Sequence, residues 1–179
     1  MSMLKIPTDR VGSLIGKNGE TKKAIEKSTG TAIKVDIDGD VRIYNRESED
    51  PLIIMKVTDL VMAIGRGFSP ERAMRLLEED EYFEVLDIRD YVGKRSSHLI
   101  RMRARVIGSQ GKTRRLIEDL TGVCISVYGS SVAIIGNSIQ MPVARKAVDM
   151  LLRGSEHSTV YKYMERQRGH LRIAEMGFE

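Results

Sequence analysis

The chain has 179 residues, of which 41% are hydrophobic and 30% are charged, which is the composition of an ordinary globular protein. Its formal net charge is +4, and no apolar run is long enough to span a membrane, so we expect no membrane partner. A single cysteine, Cys124, excludes an internal disulfide, and the start lacks the apolar core of a signal peptide, so we expect a cytoplasmic location. We also expect a monomer.

The first half of the chain has the periodicity of a small α+β domain with the order β-α-α-β-β-α. We predict a strand at residues 3–6, a helix from Thr8 or Asp9 toward Ile15, a helix at 20–28, strands at 32–37 and 41–44, a polar connection at 45–50 and a helix at 51–64. Gly30 caps the second helix, and Asp38-Gly39 forms the hairpin turn.

A helical linker is predicted next, because Ser69 is a good N-cap and Pro70 is a good first helical residue. Its apolar side, which includes Ala73 and Leu76, must be buried, so we expect the linker to join two domains into one rigid unit.

The second half repeats the order of the first, with a longer entry. We predict a strand at residues 82–88, a polar insertion at 90–97, helices at 98–107 and 112–120, strands at 123–128 and 132–135, and a helix at 141–152. A further helix is expected from Ser155 to Arg166, with little structure after Arg168.

The two halves contain the same phrase. Ile15-Gly16-Lys17-Asn18-Gly19 recurs as Ile107-Gly108-Ser109-Gln110-Gly111. Thr21, Lys22-Lys23, Ile25-Glu26 and Thr29-Gly30 then recur at the same offset as Thr113, Arg114-Arg115, Ile117-Glu118 and Thr121-Gly122. A shared offset over this span indicates a duplicated domain.

Each phrase has the chemistry of a phosphate clamp. A Gly-x-x-Gly turn between two helices exposes backbone N–H groups at a helix N-terminus, and glycine lets a nucleic-acid backbone approach closely. The basic pair that follows adds positive charge beside the same phosphates. Apolar residues on the preceding helix and the next strand could line a narrow groove for bases.

Positive charge is concentrated in the second half. Residues 1–80 carry 13 Lys and Arg against 14 Asp and Glu, whereas residues 81–179 carry 16 against 11. Residues 91–117 contain eight Lys and Arg and no acid, which is typical of a phosphate-binding surface. We therefore expect the second domain to supply most of the electrostatic affinity.

The repeated phrase resembles the KH domain, type I by its element order. The resemblance implies an α+β fold of two type I KH domains, each a three-stranded sheet backed by three helices, and a turn that clamps about four nucleotides of single-stranded RNA. We assign residues 1–66 to the first domain, 67–81 to the helical linker, 82–154 to the second domain and 155–179 to a C-terminal helix and tail. KH turns usually carry a basic residue between the glycines. Lys17 matches this pattern, whereas Ser109-Gln110 does not.

The predicted RNA-binding residues belong to the two turns, the basic pairs and the groove. They are Leu14, Ile15, Gly16, Lys17, Asn18, Gly19, Lys22, Lys23 and Ile33 in the first copy, and Arg103, Arg105, Val106, Ile107, Gly108, Ser109, Gln110, Gly111, Lys112, Arg114, Arg115 and Ile125 in the second.

A wider resemblance rests on residues 67–73, on Ser97-His98-Leu99-Ile100-Arg101 and on Val160-Tyr161-Lys162. These segments are similar to those of archaeal relatives of the eukaryotic tandem-KH factors for small-ribosomal-subunit assembly, a family that includes the partner of the Nob endonuclease. The resemblance implies binding near the 3′ end of small-subunit ribosomal RNA, with an assembly endonuclease or a translation initiation factor as protein partner.

Two other functions stay open from the residues alone: a general regulator of messenger RNA or other single-stranded nucleic acid, and an accessory subunit that presents RNA to a nuclease or methyltransferase. Catalysis within the chain has no supporting motif, so we expect no enzyme activity. His98, His157 and His170 lack zinc spacing, so neither a metal nor a cofactor is expected.

Overall fold

The structure, a computed structural model, describes residues 1–46 and 50–177. It divides into two compact units, Met1–Glu79 and Asp80–Glu179. Each unit has a three-stranded antiparallel sheet with helices packed on it, so the predicted α+β class is confirmed. Residues 47–49 of the predicted polar connection lie outside the described residues.

The first unit follows the predicted element order. Its elements are β1 (Ser2–Lys5), a 3₁₀ turn (Thr8–Arg10), α1 (Val11–Ile15), α2 (Glu20–Thr29), β2 (Thr31–Val35), β3 (Asp40–Asn45) and α3 (Pro51–Gly65). The strand predicted to reach residue 37 ends at Val35, because the chain turns there: Gly39 N–H donates to the Asp36 carbonyl.

The sheet of the first unit has the order β1-β3-β2, with Ile33 opposite Ile43 and Val35 opposite Val41. Alternate strand residues therefore point toward the helices. Ile33, Val41 and Ile43 are buried, as are apolar residues of α2 and α3, so this layer forms the core. Because α2 packs on the sheet, its position also fixes the position of the Gly16–Gly19 turn that precedes it.

The linker segment forms part of the first unit. It consists of α4 (Pro70–Ala73) and a 3₁₀ turn (Met74–Leu77), and Ser69 Oγ accepts a hydrogen bond from the Arg72 N–H at 3.4 Å. Both pieces pack against α3, and the predicted apolar residues Ala73 and Leu76 are buried. The predicted domain bounds and the rigid arrangement of the domains stay predictions.

The second unit repeats this architecture with additions. Its elements are β4 (Glu81–Asp87), α5 (Arg89–Val92), α6 (Ser96–Ile107), α7 (Lys112–Thr121), β5 (Cys124–Tyr128), β6 (Ser131–Asn137), α8 (Gln140–Leu152) and α9 (His157–Glu175). The sheet order β4-β6-β5 matches that of the first unit. Val106, Ile117, Ile125 and Ile134 are fully buried between the sheet and the helices.

The insertion predicted as polar chain contains the short helix α5. Tyr91 of α5 donates its O–H to Asp149 of α8 at 2.6 Å, and Arg153 contacts the same carboxylate at 3.0 Å. Burial and the hydrogen bond raise the pKa of Tyr91 to about 12, whereas the Tyr91 hydrogen bond lowers the pKa of Asp149. This contact ties the insertion to the helical layer.

The C-terminal helix is longer than predicted. The expectation of little structure after Arg168 is wrong, because α9 continues to Glu175. Leu171 is buried in its last part, and Gln140 Nε2 donates to Glu175 Oε1 at 2.8 Å. Tertiary burial on α7 and α8 therefore extends a helix whose polar end gives little sequence signal.

Candidate nucleic-acid interface

The two Gly-x-x-Gly turns have the same backbone geometry. The first glycine has φ 75° and ψ 173° at Gly16, and φ 75° and ψ 175° at Gly108. Asn18 and Gln110 both have φ 54°, and Gly19 and Gly111 share φ 76° and ψ 14°. Each turn joins the end of one helix to the start of the next, so each exposes a helix N-terminus.

The first glycine of each turn is required by the fold. A Cβ at Gly16 would lie 2.8 Å from the backbone nitrogen of Thr21, and a Cβ at Gly108 would lie 2.7 Å from that of Thr113. The threonine side chains lie closer still. Since a positive φ with ψ near 180° is also accessible almost only to glycine, a larger residue would distort the turn. The recurrence of Gly and Thr at this spacing is thus a packing requirement.

The second glycine faces open space. A Cβ at Gly19 would meet only the Lys23 Cε at 3.7 Å, and one at Gly111 only the Arg114 Nη2 at 3.8 Å. These are ordinary contacts, so the fold leaves this side of the turn accessible. The two distances also show that a basic side chain reaches back to the second glycine in each copy.

The residues between the glycines are exposed in both copies. Asn18 and Gln110 adopt the left-handed conformation, which asparagine tolerates better than glutamine. Their side chains are therefore held outward at a backbone position that costs free energy. Exposed polar side chains on a strained turn are typical of a ligand contact.

Other parts of the repeated phrase serve the fold. Glu26 Oε2 accepts a hydrogen bond from the Ile33 N–H, and Glu118 Oε2 accepts one from the Ile125 N–H, both at 3.0 Å. Thr29 and Thr121 each bond to the carbonyl four residues earlier, at 2.7 Å. These contacts attach the helix to the adjacent strand, so their recurrence gives no information about binding.

The basic residues near the turns differ in the contacts that they make within the protein. Lys23 and Lys112 are exposed. Arg114 Nη1 contacts Glu118 Oε1 at 2.5 Å, and Arg115 Nη2 donates to the Gln110 carbonyl at 2.9 Å. Arg115 thereby supports the turn from outside and keeps its charge at the surface.

Arg105 has a structural role that the sequence does not reveal. Its Nε donates to the Leu151 carbonyl at 3.0 Å, and its Nη2 donates to the Ser155 carbonyl. The guanidinium thus holds α6 to the end of α8. Phosphate contact by Arg105 stays a prediction. Because its guanidinium already binds two carbonyls, this geometry favours phosphate contact by the other basic residues near the turn.

The start of the second helix differs between the copies. The first turn of α2 carries Glu20, whereas α7 begins with Lys112. The negative charge of Glu20 offsets the positive charge of Lys17, whereas the positive charge of Lys112 adds to that of the helix N-terminus. The second turn therefore has the more favourable local charge for phosphate, although Ser109 and Gln110 are neutral.

The apolar residues predicted to line the groove fall into two groups. Leu14, Ile33, Val106 and Ile125 are between 0% and 1% exposed, so they form the core beneath the groove. Ile15 and Ile107 are half-buried and adjoin the turns. We therefore propose direct base contact for Ile15 and Ile107. The four buried residues support the surface of the groove from beneath.

Two residues of α9 adjoin the second turn and were not among the predicted site residues. Tyr161 Oη lies 3.1 Å from Thr113 Oγ1, and His157 Nε2 lies 3.0 Å from the Arg105 carbonyl. The rings of His157 and Tyr161 contact each other edge to face. The first two turns of α9 thus brace both helices that flank Gly108–Gly111. In the sequence, the signal that could have indicated these residues was the segment Val160-Tyr161-Lys162, which carries part of the wider family resemblance.

Among the residues that the structure describes, no group of three or more His, Cys, Asp or Glu side chains could hold a metal ion. Within the same residues, no helix combines the length and apolar character needed to cross a bilayer.

Comparison with known families places a KH domain on each unit. The eukaryotic type KH-domain (KH-domain type I) matches residues 82–169, and the KH domain matches residues 1–58. A KH domain-containing protein of Methanocaldococcus jannaschii is 49% identical over 175 residues, covering 97% of this chain and 77% of the relative. The pre-rRNA-processing protein PNO1 of Eremothecium gossypii is 32% identical over 123 residues, and the match covers 68% of this chain but only 46% of that protein.

Solved structures agree with these matches. Dim2p from Pyrococcus horikoshii OT3 is 51% identical, with a TM-score of 0.87 over 92% of this chain and 98% of that chain. A chain in the a/eIF2alpha-aDim2p-rRNA complex from the same organism is 50% identical, with a TM-score of 0.89 over 95% of this chain and 94% of that one.

Proposed function

Because the chain belongs to the tandem KH-domain family of archaeal Dim2p and eukaryotic PNO1, we propose that it binds single-stranded RNA as a non-catalytic factor in ribosome assembly. The ligand is small-subunit ribosomal RNA near its 3′ end. The rRNA complex that contains aDim2p and the pre-rRNA-processing name of the PNO1 relatives support this assignment.

The observation that carries the proposal is the pair of turns with matching dihedral angles. In each turn, packing requires the first glycine, whereas the second glycine has room around it and lies beside a basic side chain, Lys23 or Arg114. An RNA phosphate placed there meets backbone N–H groups, a helix N-terminus and a cation together. The neighbouring half-buried isoleucines, Ile15 and Ile107, then contact the attached bases.

Unpaired RNA fits this surface better than a duplex. A KH turn clamps the sugar–phosphate backbone so that bases lie against an apolar surface, which requires that they have no pairing partner. The proposed contacts are therefore phosphate contacts that fix position and base contacts that select sequence. The more basic second turn supplies the larger electrostatic share.

The proposed protein partner is a translation initiation factor subunit, in line with the a/eIF2alpha-aDim2p-rRNA complex. An assembly endonuclease, suggested by the family resemblance, is a second expected partner. The location proposed for this role in ribosome assembly is the cytoplasm.

The direct test is fluorescence anisotropy with RNA oligonucleotides from the 3′ end of small-subunit ribosomal RNA. We expect tighter binding to the single strand than to the same sequence in a duplex, and tighter binding than to a scrambled strand. Equal affinity for duplex and single strand would contradict the proposal.

Function in the cell separates assembly from messenger-RNA regulation. Crosslinking followed by sequencing of the bound RNA is expected to recover precursor small-subunit RNA, and the protein is expected to co-sediment with precursor subunits. Recovery of messenger RNAs without ribosomal RNA would support the regulator. Turnover of RNA by the purified chain would contradict the non-catalytic assignment.

A further inference from the structure

Strand β4, at one edge of the second sheet, lacks the features that protect β1 at the matching edge of the first. β1 has 4 residues, ends at Lys5 and is followed by Pro7, and a short strand, lysine and proline all hinder pairing with another chain. β4 has 7 residues without lysine or proline, and among the described residues it pairs only with β6. Its Tyr82 and Val85 are 51% and 38% exposed. A long edge with exposed apolar side chains is typical of a surface that receives an added strand.

The register of β4 shows which backbone groups point outward. Ile88 N–H donates to the Ser130 carbonyl at 2.8 Å, so these two residues form a hydrogen-bonded pair of the antiparallel ladder. Such pairs alternate along a strand, so Phe83 and Val85 belong to the set that directs N–H and C=O groups away from β6. Within the described residues these backbone groups have no hydrogen-bond partner. They present two donors and two acceptors at the spacing of a strand.

A cleft of about 770 Å³ lies along this edge, on the helical side of the sheet. β4 forms one side of the cleft, and α5, α6 and the end of α8 form the rest. In the first unit the chain passes from β1 to α1 through the 3₁₀ turn Thr8–Arg10, so α5 has no counterpart there. The hydrogen bond between Tyr91 and Asp149 holds α5 to α8 and thereby fixes one wall of the cleft. The cleft offers room for the side chains on one face of an added strand.

Three arginines line the cleft. Arg101 is exposed and makes no ion pair or hydrogen bond among the described residues. Arg145 Nε contacts Glu84 Oε2 at 3.4 Å, and Arg153 Nε contacts Asp149 Oδ2 at 3.0 Å, yet the two arginine side chains are 62% and 70% exposed. All three guanidinium groups are therefore accessible to a ligand.

Hydrogen-bond donors outnumber acceptors at the cleft. A guanidinium has five N–H donors, and a contact through Nε uses one of them. Of the two carboxylates that line the cleft, Asp87 already accepts from Arg89 Nη2 at 2.7 Å, whereas Asp90 is exposed. A ligand that supplies acceptors is therefore favoured, and carboxylate side chains match the fork of arginine best.

The spacing of two of these arginines matches that of an extended chain. Arg145 and Arg153 are eight residues apart, which corresponds to about 12 Å along a helix. Side chains four residues apart in a strand are separated by about 13 Å. Arg145 contacts Glu84 within β4, and Arg153 lies over the ring of Tyr91 beyond the end of β4, so the two arginines follow the direction of the edge. A strand added to this edge can place one carboxylate at each arginine.

We propose that β4 binds an extended segment of a partner protein as a fourth strand of the second sheet, and that this segment carries acidic residues four positions apart. Main-chain hydrogen bonds to Phe83 and Val85 supply affinity, and ion pairs with Arg145 and Arg153 select the sequence. The proposal goes beyond RNA binding and does not rest on it, because the cleft does not include the Gly108–Gly111 turn.

The experiment uses the full chain and a displayed library of random peptides of about nine residues, long enough to span the 7 residues of β4. We expect enrichment of sequences with Asp or Glu four positions apart. Synthetic peptides of the selected sequences are expected to bind in fluorescence anisotropy. They are also expected to slow hydrogen exchange at the amides of Phe83 and Val85, which a ligand that contacts only the arginines would leave unprotected.

A proline in β4 tests the main-chain contacts. Val85→Pro removes an outward N–H and no hydrogen bond to β6, so it is expected to lower peptide affinity at least about tenfold and to leave RNA affinity unchanged. Val85→Thr, which keeps the N–H, is the control and is expected to bind as wild type does. N-methylation of the peptide backbone makes the same test without changing the protein: affinity should fall at alternate positions only.

A charge reversal tests the arginine contacts. Arg101→Glu, a change at an exposed residue, is expected to weaken binding of the selected peptides. Lys146→Glu is the matched control, because Lys146 is exposed on α8 but does not line the cleft, and it is expected to have little effect.

The possible outcomes are distinct. A library without an enriched sequence, or selected peptides that leave the Phe83 and Val85 amides unprotected, overturns the proposal. A dimer of the free chain in analytical ultracentrifugation that Val85→Pro dissociates assigns the edge to a second copy and also overturns it. Protection of the β4 amides by the 3′-end RNA assigns the cleft to RNA instead.

Discussion

Replacing Gly108 by alanine is expected to destabilise the second unit much more than replacing Gly111 by alanine. At Gly108 the new Cβ would lie 2.7 Å from the Thr113 nitrogen, in a backbone conformation with φ 75° and ψ 175°. Strain of this kind costs about 1–3 kcal/mol, and overpacking costs a similar amount, so a loss of about 3 kcal/mol or more is expected. At Gly111 the left-handed backbone costs about 1–2 kcal/mol, and the nearest atom is 3.8 Å away.

The assay must report on one unit, since two units need not unfold together. Urea-dependent hydrogen exchange of the β6 amides, Ser131–Asn137, measures the free energy of unfolding of the second unit. Gly16→Ala and Gly19→Ala provide the same comparison in the first unit, where the geometry matches. Equal losses at the two glycines of a turn would refute the packing argument. RNA affinity is expected to show the converse effect, because Gly111→Ala leaves the fold largely intact but narrows the approach of the RNA backbone.

Other predictions concern charge and motion. Arg115→Ala is expected to lower the slope of log affinity against log salt by about one, whereas Arg105→Ala should lower stability and leave the slope nearly unchanged. Tyr91 is expected to titrate near pH 12, and in Asp149→Asn its pKa should fall but stay above the ordinary value, because burial, the larger cause, remains; ultraviolet absorbance follows the titration. Because the folded pKa of Tyr91 is raised, its stabilising contribution is present below pH 10 and is lost as the pH rises toward 12. NMR relaxation is expected to give one tumbling time for both units, and two different times would refute the rigid linker.

Sequence reasoning located both turns, because a duplicated phrase separates a constrained pattern from chance. It could not distinguish positions constrained by the fold from those free to bind. Glu26 and Gly19 recur equally in the sequence, yet only the structure shows that Glu26 bonds to a strand N–H and that Gly19 faces open space. That distinction depends on tertiary contacts, which periodicity does not encode.

The errors in the predicted elements have the same origin. Helix α9 extends beyond its apolar repeat because Leu171 is buried and Glu175 accepts a hydrogen bond from Gln140 of α8. α5 is too short for a periodic signal and is held by the Tyr91–Asp149 hydrogen bond. Leu14, on a helix, and Ile125, on a strand, were predicted as groove residues because periodicity gives the face of an element but not the depth of burial.

The clamp itself is tested most directly by placing negative charge on both turns. Lys17, Asn18, Ser109 and Gln110 are all exposed, so changing the four to Asp is expected to leave the far-ultraviolet circular dichroism and the melting temperature nearly unchanged. Because each turn would then repel the phosphate that it is proposed to bind, affinity for the single-stranded 3′-end RNA should fall by a factor on the order of 100 in fluorescence anisotropy. An affinity within about twofold of wild type would show that the RNA binds elsewhere and would contradict the account.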